Sequence, residues 1–275
     1  MTTATPERIT GMRKVLSDGA VITKRNLIKV KRVPDLLVFS TISPIIFILL
    51  FAYVFGSAVN TPGINYREYL IPGIFAQTVI FTSTITGFVL AEDMQKGIID
   101  RFRSLPMSRF AVLAGRTSAD VLNNVLILVI MSATGLIIGW RIHTSVGDAL
   151  GGFLILLALA YAMSWIFAFV GLAVGTPEVV NNASFIVIFP LTFVANTFVP
   201  TNNFPSGLRL VADWNPVSAV TQAARQLFGN TSEALKTPHD WPLQHPVLYT
   251  FIWIAALVAI FAPLAEWQYR RAASR

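Results

Sequence analysis

The chain has 275 residues, of which 54% are hydrophobic and 13% charged, whereas roughly a quarter are charged in an ordinary soluble domain. A net charge of +7 invites a nucleic-acid partner, but the basic residues hug the ends of apolar runs, where they meet anionic headgroups; a membrane-lipid partner is expected and nucleic acid is rejected. Cysteine is absent, which excludes disulfide frameworks and thiolate metal sites.

Residues 1–35 form a basic, largely polar segment. Within it, 9–33 reads as an amphipathic helix: Ser17-Asp18 supplies an N-cap, and Ile22, Leu27, Ile28 and Val30 interleave with Lys24, Arg25, Lys29, Lys31 and Arg32. Pro34 ends it, because the residue before proline is pushed out of the α region. Such a helix lies in the membrane interface, either as a lipid anchor or as a contact for a cytoplasmic partner. The apolar run that follows is too long for a signal-peptide core and is read as a retained anchor.

Six apolar runs of about 20 residues, the length that crosses a hydrocarbon core, make up a transmembrane domain over 36–265. They are Leu36–Phe55, Tyr69–Ala91, Val121–Gly139, Ala149–Val174, Ala183–Val199 and Val247–Ala265. Lipid offers no hydrogen-bond partner to the backbone, so the fold class is an all-α membrane protein. Of the 21 Lys and Arg, eight precede the first run, five lie between the second and third, and three lie in the tail 266–275. The positive-inside rule then puts both termini in the cytoplasm, which an even number of spans requires.

Between the second and third runs lies an island of charge, Glu92 to Arg109. On one helix at about 3.6 residues per turn, Met94, Ile98, Phe102 and Leu105 share a face, and Asp93, Lys96, Asp100 and Arg103 lie opposite. The island reads as a cytoplasmic helix ending at Pro106, with Arg109 opening the next, and as a surface for a soluble partner. A topogenic charged loop is the plain alternative. Beyond the fifth run, 200–246 holds a proline-punctuated pair of short helices. Leu208, Leu210, Val211 and Trp214 belong to the first, and Val217, Val220, Ala224, Leu227 and Phe228 to the second. Neither is long enough to span, and the pair is expected to dip into the outer leaflet and return. Gly229 to Gln244 reads as a solvent loop.

Several polar residues fall inside the runs: Gln77, Thr78, Thr82, Ser83, Thr84 and Thr86 in the second, and Thr192, Asn196 and Thr197 in the fifth. Gln77, Thr78, Thr82, Thr86, Thr192 and Asn196 are candidates for a substrate path, with helix packing as the alternative role. No charge is expected deep in any span, since Glu92, Asp120 and Asp148 sit at run ends, and a proton antiporter needs an intramembrane relay. His143, His239 and His245 lack ligand spacing, so no metal is expected. Gly171 and Gly175 mark either a close-packing face or the end of the fourth run.

The order Glu92, Gly97, Asp100-Arg101, Arg103-Ser104-Leu105-Pro106, Ser108-Arg109 and Gly115-Arg116 resembles the first cytoplasmic loop of type-2 ABC exporter permeases of the daunorubicin-resistance type. Tyr69-Leu70-Ile71-Pro72-Gly73-Ile74, Phe198-Val199-Pro200 with Pro205, Trp214-Asn215-Pro216 and Ala224-Arg225 resemble other elements of that branch. The resemblance implies a permease that pairs with a second copy or a paralogue and docks a nucleotide-binding ATPase subunit. The coupling contact would be Glu92, Met94, Gly97, Ile98, Arg101, Phe102, Leu105 and Pro106, with a smaller one at Glu178. The chain has no GxxxxGK[ST] phosphate cradle, so it would be no enzyme and bind no cofactor itself, with ATP and Mg held by the partner. The expected cargo is a hydrophobic drug or a lipid carried out across a bacterial plasma membrane. Polymer export, and a scaffold that merely anchors an ATPase, remain alternatives.

Overall fold

The computed structural model describes residues 34–99, 109–235 and 240–272, and every regular element among them is helical. α1 (Pro34–Leu49) widens into a π-helical stretch, Leu50–Phe55. α2 (Tyr66–Gln95), α3 (Arg109–Ile137), α4 (Val146–Val174) and α5 (Pro177–Phe193) follow. The short α6 (Ser206–Asp213), α7 (Pro216–Phe228) and α8 (Trp241–Gln244) precede α9 (Pro246–Ala272). Four helices are long and apolar enough to cross a membrane, namely α2, α3, α4 and α9; α1 and α5 are apolar but shorter. The N-terminal helix expected over 9–33 lies outside the described residues.

The helix starts follow local chemistry. The Asn65 side chain accepts from the Arg67 N–H at the head of α2, and Asn215 does the same for Val217 at the head of α7. Ser145 caps α4 by accepting from the Asp148 N–H while its hydroxyl donates to the Asp148 carboxylate. These side chains satisfy donors that a helix leaves orphaned. Pro177 and Pro216 occupy the first helical position, where a missing N–H costs nothing.

Successive long helices alternate in direction. The upper end of the bundle carries the connections 56–65 and 138–145 and the segments 194–235 and 240–245, and the lower end carries 96–99 and 175–176. α4 is the central post, packed against α2, α3, α7 and α9. In the upper half, Phe75, Phe153, Trp140 and Phe228 meet ring against ring. In the lower half, Leu90, Leu113, Trp165, Leu172 and Tyr269 close a second cluster.

Four expectations change. The fifth run does not extend from Ala183 to Val199: α5 starts six residues earlier and ends at Phe193. Its last apolar residues unwind because the carbonyls of Asn196 and Thr197 are drawn to Arg225 instead of continuing a helix. The third helix opens at Arg109 as expected, but its apolar span reaches back to Val112 rather than starting at Val121, so Asp120 lies well inside it and is buried. A charge therefore does sit within a long apolar helix. The island at 92–109 is not one helix either. α2 ends at Gln95, and Gly97 adopts φ +64°, a left-handed turn that glycine enters without a Cβ clash. The face computed across that turn is broken, and Ile99, not Ile98, is the buried residue.

The fourth change concerns 229–244. Asn230 is fully buried; its side-chain Oδ1 accepts from Trp140 Nε1 at 2.7 Å, and its Nδ2 donates to the Arg141 carbonyl at 2.8 Å. Leu243 is buried as well. Both ends of the expected solvent loop are thus built into the upper core, because Trp140 needs an acceptor once its indole is enclosed. Residues 236–239, including His239, lie outside the described residues. The helix pair forms as expected, broken at Trp214-Asn215, but its members differ. α7 buries Val217, Val220, Ala224 and Phe228, whereas Leu208, Leu210, Val211 and Trp214 of the α6 arm are exposed. Burial raises the Asp213 carboxyl above the usual carboxylate range, against the downward pull of the Thr201 hydroxyl that donates to it at 2.6 Å and of Arg209.

Candidate functional site

A groove of about 410 Å³ runs between α1, α2 and α5. One wall is α2, with Ile74, Gln77, Thr78, Phe81, Thr82 and Ile85. α1 contributes Ser43, Pro44 and Phe47, and α5 contributes Phe185, Phe189 and Phe193. The phenylalanines form a continuous rail. Ring centroids step from Phe81 to Phe185 at 6.2 Å, to Phe189 at 5.2 Å, to Phe193 at 4.1 Å, to Phe198 at 4.9 Å and to Phe51 at 4.3 Å. On α5 the rail is the i, i+4 row 185, 189, 193, which one helix face must align.

The polar side of the groove is narrow. The Thr78 hydroxyl donates to the Ile74 carbonyl and Thr82 to that of Thr78, so each spends its proton on its own helix and keeps acceptor capacity. The Gln77 side chain makes no hydrogen bond among the described residues and brings the groove both a donor and an acceptor. Of the six path candidates, Gln77, Thr78 and Thr82 line the groove. Thr86 does not; its hydroxyl donates to Asp120 at 2.5 Å. Thr192 is fully buried and donates to the Ile188 carbonyl. Asn196 belongs to a polar knot above the groove.

That knot is organised by Arg225, which enters the sequence reading only within the Ala224-Arg225 motif. Its side chain is buried. Nε donates to the Tyr69 carbonyl at 2.8 Å, and Nη2 donates to the Asn196 and Thr197 carbonyls at 2.8 and 3.1 Å. The guanidinium stacks 3.5 Å over the Tyr69 ring, and the Tyr69 hydroxyl donates to the Asn196 carbonyl. Tyr66 adds a bond to the Phe198 carbonyl, and the Asn196 N–H donates to Ser218. One arginine thus ties α2, the turn after α5 and α7 together at the upper end of the groove. Its signal was available: Val217, Thr221 and Arg225 recur at i+4, which puts Arg225 on the buried face of α7.

At the lower end the coupling candidates come partly together. Glu92 pairs with Lys96 at 2.6 Å on the last turn of α2. Met94 packs against the lower apolar cluster and reaches Gly175, where a Cβ would lie 3.6 Å from its Cε. The 96–99 and 175–178 connections therefore adjoin. Glu178 is exposed on the first turn of α5, and Ile98 is half-buried beyond the Gly97 turn. Arg101, Phe102, Leu105 and Pro106 lie outside the described residues. Among the described residues no group of three His, Cys, Asp or Glu could hold a metal.

The sequence of this chain has counterparts among known proteins. Residues 19–228 match the family model described as ABC-2 type transporter. The chain belongs to that family. It is also 34% identical over 246 residues to the daunorubicin resistance ABC transporter permease protein DrrB1 of Streptomyces coeruleorubidus, covering 90% of this chain and 83% of that one. The doxorubicin resistance ABC transporter permease protein DrrB of Mycobacterium tuberculosis is 28% identical, over 75% of this chain and 70% of its own. A putative transport permease ycf38 of Cyanophora paradoxa is 24% identical over 77% and 74%.

Proposed function

We propose that the chain is the permease subunit of an ATP-driven exporter that moves a hydrophobic or amphiphilic molecule, a drug or a lipid, out across the bacterial plasma membrane. It spans the membrane six times, α1 and α5 completing the set, with both termini and the lower end in the cytoplasm. α6 and α7 form an outer element that enters the leaflet and returns. Two permease copies, or this chain and a paralogue, work together, and separate ATPase subunits hold ATP and Mg. The groove carries the reading: one wall offers an amide and hydroxyl oxygens, the other a row of phenylalanines. A molecule with an apolar body and a small polar group matches both walls, while an uncharged lining gives no foothold to a strongly ionic cargo. The path residues are Gln77, Thr78 and Thr82, with Thr192 and Asn196 supporting them from behind.

Drive enters at the lower end. The ATPase subunit docks on the Glu92–Pro106 connection and on Glu178, and nucleotide-dependent closure shifts the permease between inward- and outward-facing states by binding one of them more tightly. The test is reconstitution of the chain with its ATPase in lipid vesicles. A fluorescent amphiphile should be moved only when ATP and Mg are present; movement under a pH gradient alone would sink the proposal. Phe102→Asp should insert normally yet lose co-purification with the ATPase, because it places a charge where an apolar contact is buried. Phe189→Ala should raise the half-saturating amphiphile concentration about tenfold, the worth of one strong aromatic contact, and an unchanged value would remove the groove from the path.

A further inference from the structure

Four of the five serine and threonine hydroxyls of α2, those of Thr78, Thr82, Ser83 and Thr84, donate to a carbonyl three or four residues back in their own helix, Ser83 also lying within hydrogen-bond distance, 3.1 Å, of the Ala160 carbonyl on α4. Thr86 instead donates across to the carboxylate of Asp120 on α3, at 2.5 Å. The other oxygen of that carboxylate lies 3.3 Å from Nη2 of Arg116, one turn away, and Asn124 donates its amide to the Asp120 carbonyl. Thr86 and Asn124 are fully buried, and Arg116 and Asp120 nearly so. An ion pair in the apolar part of a bundle is expensive, and apolar side chains of the same volume would join two helices at lower cost. What the polar triad adds is geometry. A carboxylate held by one hydroxyl and one guanidinium fixes the height and rotation of α2 against α3, whereas a leucine contact lets them slide.

Its position gives that geometry a use. Thr86 lies nine residues above Gln95, about 14 Å along the helix axis, and one turn below Thr82 of the groove. Between the triad and the lower turns, Leu90, Val112 and Leu113 belong to one buried apolar cluster, so α2 and α3 share packing below the triad as well. We propose that Thr86, Arg116 and Asp120 form a clamp that makes the lower halves of α2 and α3 move as one body, so that a push on their connection reaches Gln77, Thr78 and Thr82 instead of being lost as slippage. These are positioning residues, and the inference rests on the transport reading above.

The test compares wild type, Thr86→Val, Thr86→Ser and Asp120→Asn, each reconstituted with the ATPase. Valine keeps the shape of threonine but removes the donor, and serine restores it. Expected for Thr86→Val is an ATPase rate within about twofold of wild type with amphiphile moved per ATP down about tenfold, and recovery of at least half that yield in Thr86→Ser. Asp120→Asn, which keeps an acceptor but loses the charge facing Arg116, should fall in between. Full yield per ATP in Thr86→Val overturns the clamp, as does an equal loss of ATPase and transport in both Thr86 variants, which would mark a purely structural role. If wild type itself shows no ATP-driven movement, the transport reading fails. The clamp is then tested by distance: labels on cysteines placed in the lower halves of α2 and α3, in a chain with none of its own, should give a broader distribution in Thr86→Val than in wild type, and equal widths overturn it.

Discussion

Replacing Arg225 by methionine is expected to be among the most destabilising single changes in the chain, costing about 3–5 kcal/mol as other broken buried charge networks do. The side chain makes three hydrogen bonds to carbonyls on two separate segments and stacks on Tyr69. Methionine fills part of the volume but leaves the Thr197 carbonyl without the donor that holds it, in a place where α5 has already unwound. Lysine should not rescue. It keeps the charge but has no planar fork to reach the Tyr69 and Asn196 carbonyls together, and no flat face for the ring. Tyr69→Phe keeps the stacking and loses only the hydroxyl bond to Asn196, so it should cost about 1 kcal/mol. Thermal unfolding of the purified protein in detergent, followed by loss of its monodisperse elution peak, gives the order wild type, Tyr69→Phe, Arg225→Lys, Arg225→Met. An Arg225→Met protein as stable as wild type would show that the turn after α5 is held by packing alone.

The same knot explains where sequence reading stopped. Long apolar helices were legible because α2, α4 and α9 each carry an uninterrupted run of spanning length, and lipid leaves a backbone no other way to pair. The end of α5 was not legible. Ala195, Phe198 and Val199 extend the hydropathy of the run, and nothing in the local pattern tells that the carbonyls of Asn196 and Thr197 are claimed by a residue 28 or 29 positions away. Asp120 was misplaced for a related reason: the apolar run starts at Val121, but the helix starts at Arg109, and a window that looks for apolar residues cuts off the polar lower part of α3. The row Arg116, Asp120, Asn124 at i+4 was the available signal, since three polar residues on one face of an otherwise apolar helix need partners. In the groove, Thr78 and Thr82 line the same wall one turn apart, but Thr86, the next turn on, faces α3 instead of the open groove. Which helix stands opposite a given turn is a tertiary fact that spacing does not encode.

Gly171 and Gly175 illustrate the same limit, and they yield the second large effect. They are four residues apart in α4, and spacing alone makes them one small-residue face. In the structure they do different work. A Cβ built on Gly171 would lie 2.3 Å from the Gly87 carbonyl oxygen and 2.8 Å from its Cα, so α2 and α4 cross backbone to backbone at this point. Gly175 ends α4 with φ +71°, and a Cβ there would meet only the end of the Met94 side chain, at 3.6 Å. Gly171→Ala must therefore push two helices apart, at about 1–3 kcal/mol, and Gly171→Leu should prevent assembly of the native bundle. Gly175→Ala meets no wall; it carries only the strain of a left-handed residue, about 1–2 kcal/mol. Asparagine separates the two causes. It tolerates the left-handed region and has the bulk to clash, so Gly175→Asn should recover most of the stability lost in Gly175→Ala while Gly171→Asn should be worse than Gly171→Ala. Because α2 also forms the polar wall of the groove, any displacement at Gly87 tilts Gln77 and Thr78. Gly171→Ala should accordingly lose export at temperatures where it is still folded, and Gly175→Asn should not. Thermal unfolding and vesicle export measured on the same preparations decide it: equal losses for the two asparagine variants would mean that the helix crossing tolerates separation and that the groove does not depend on it.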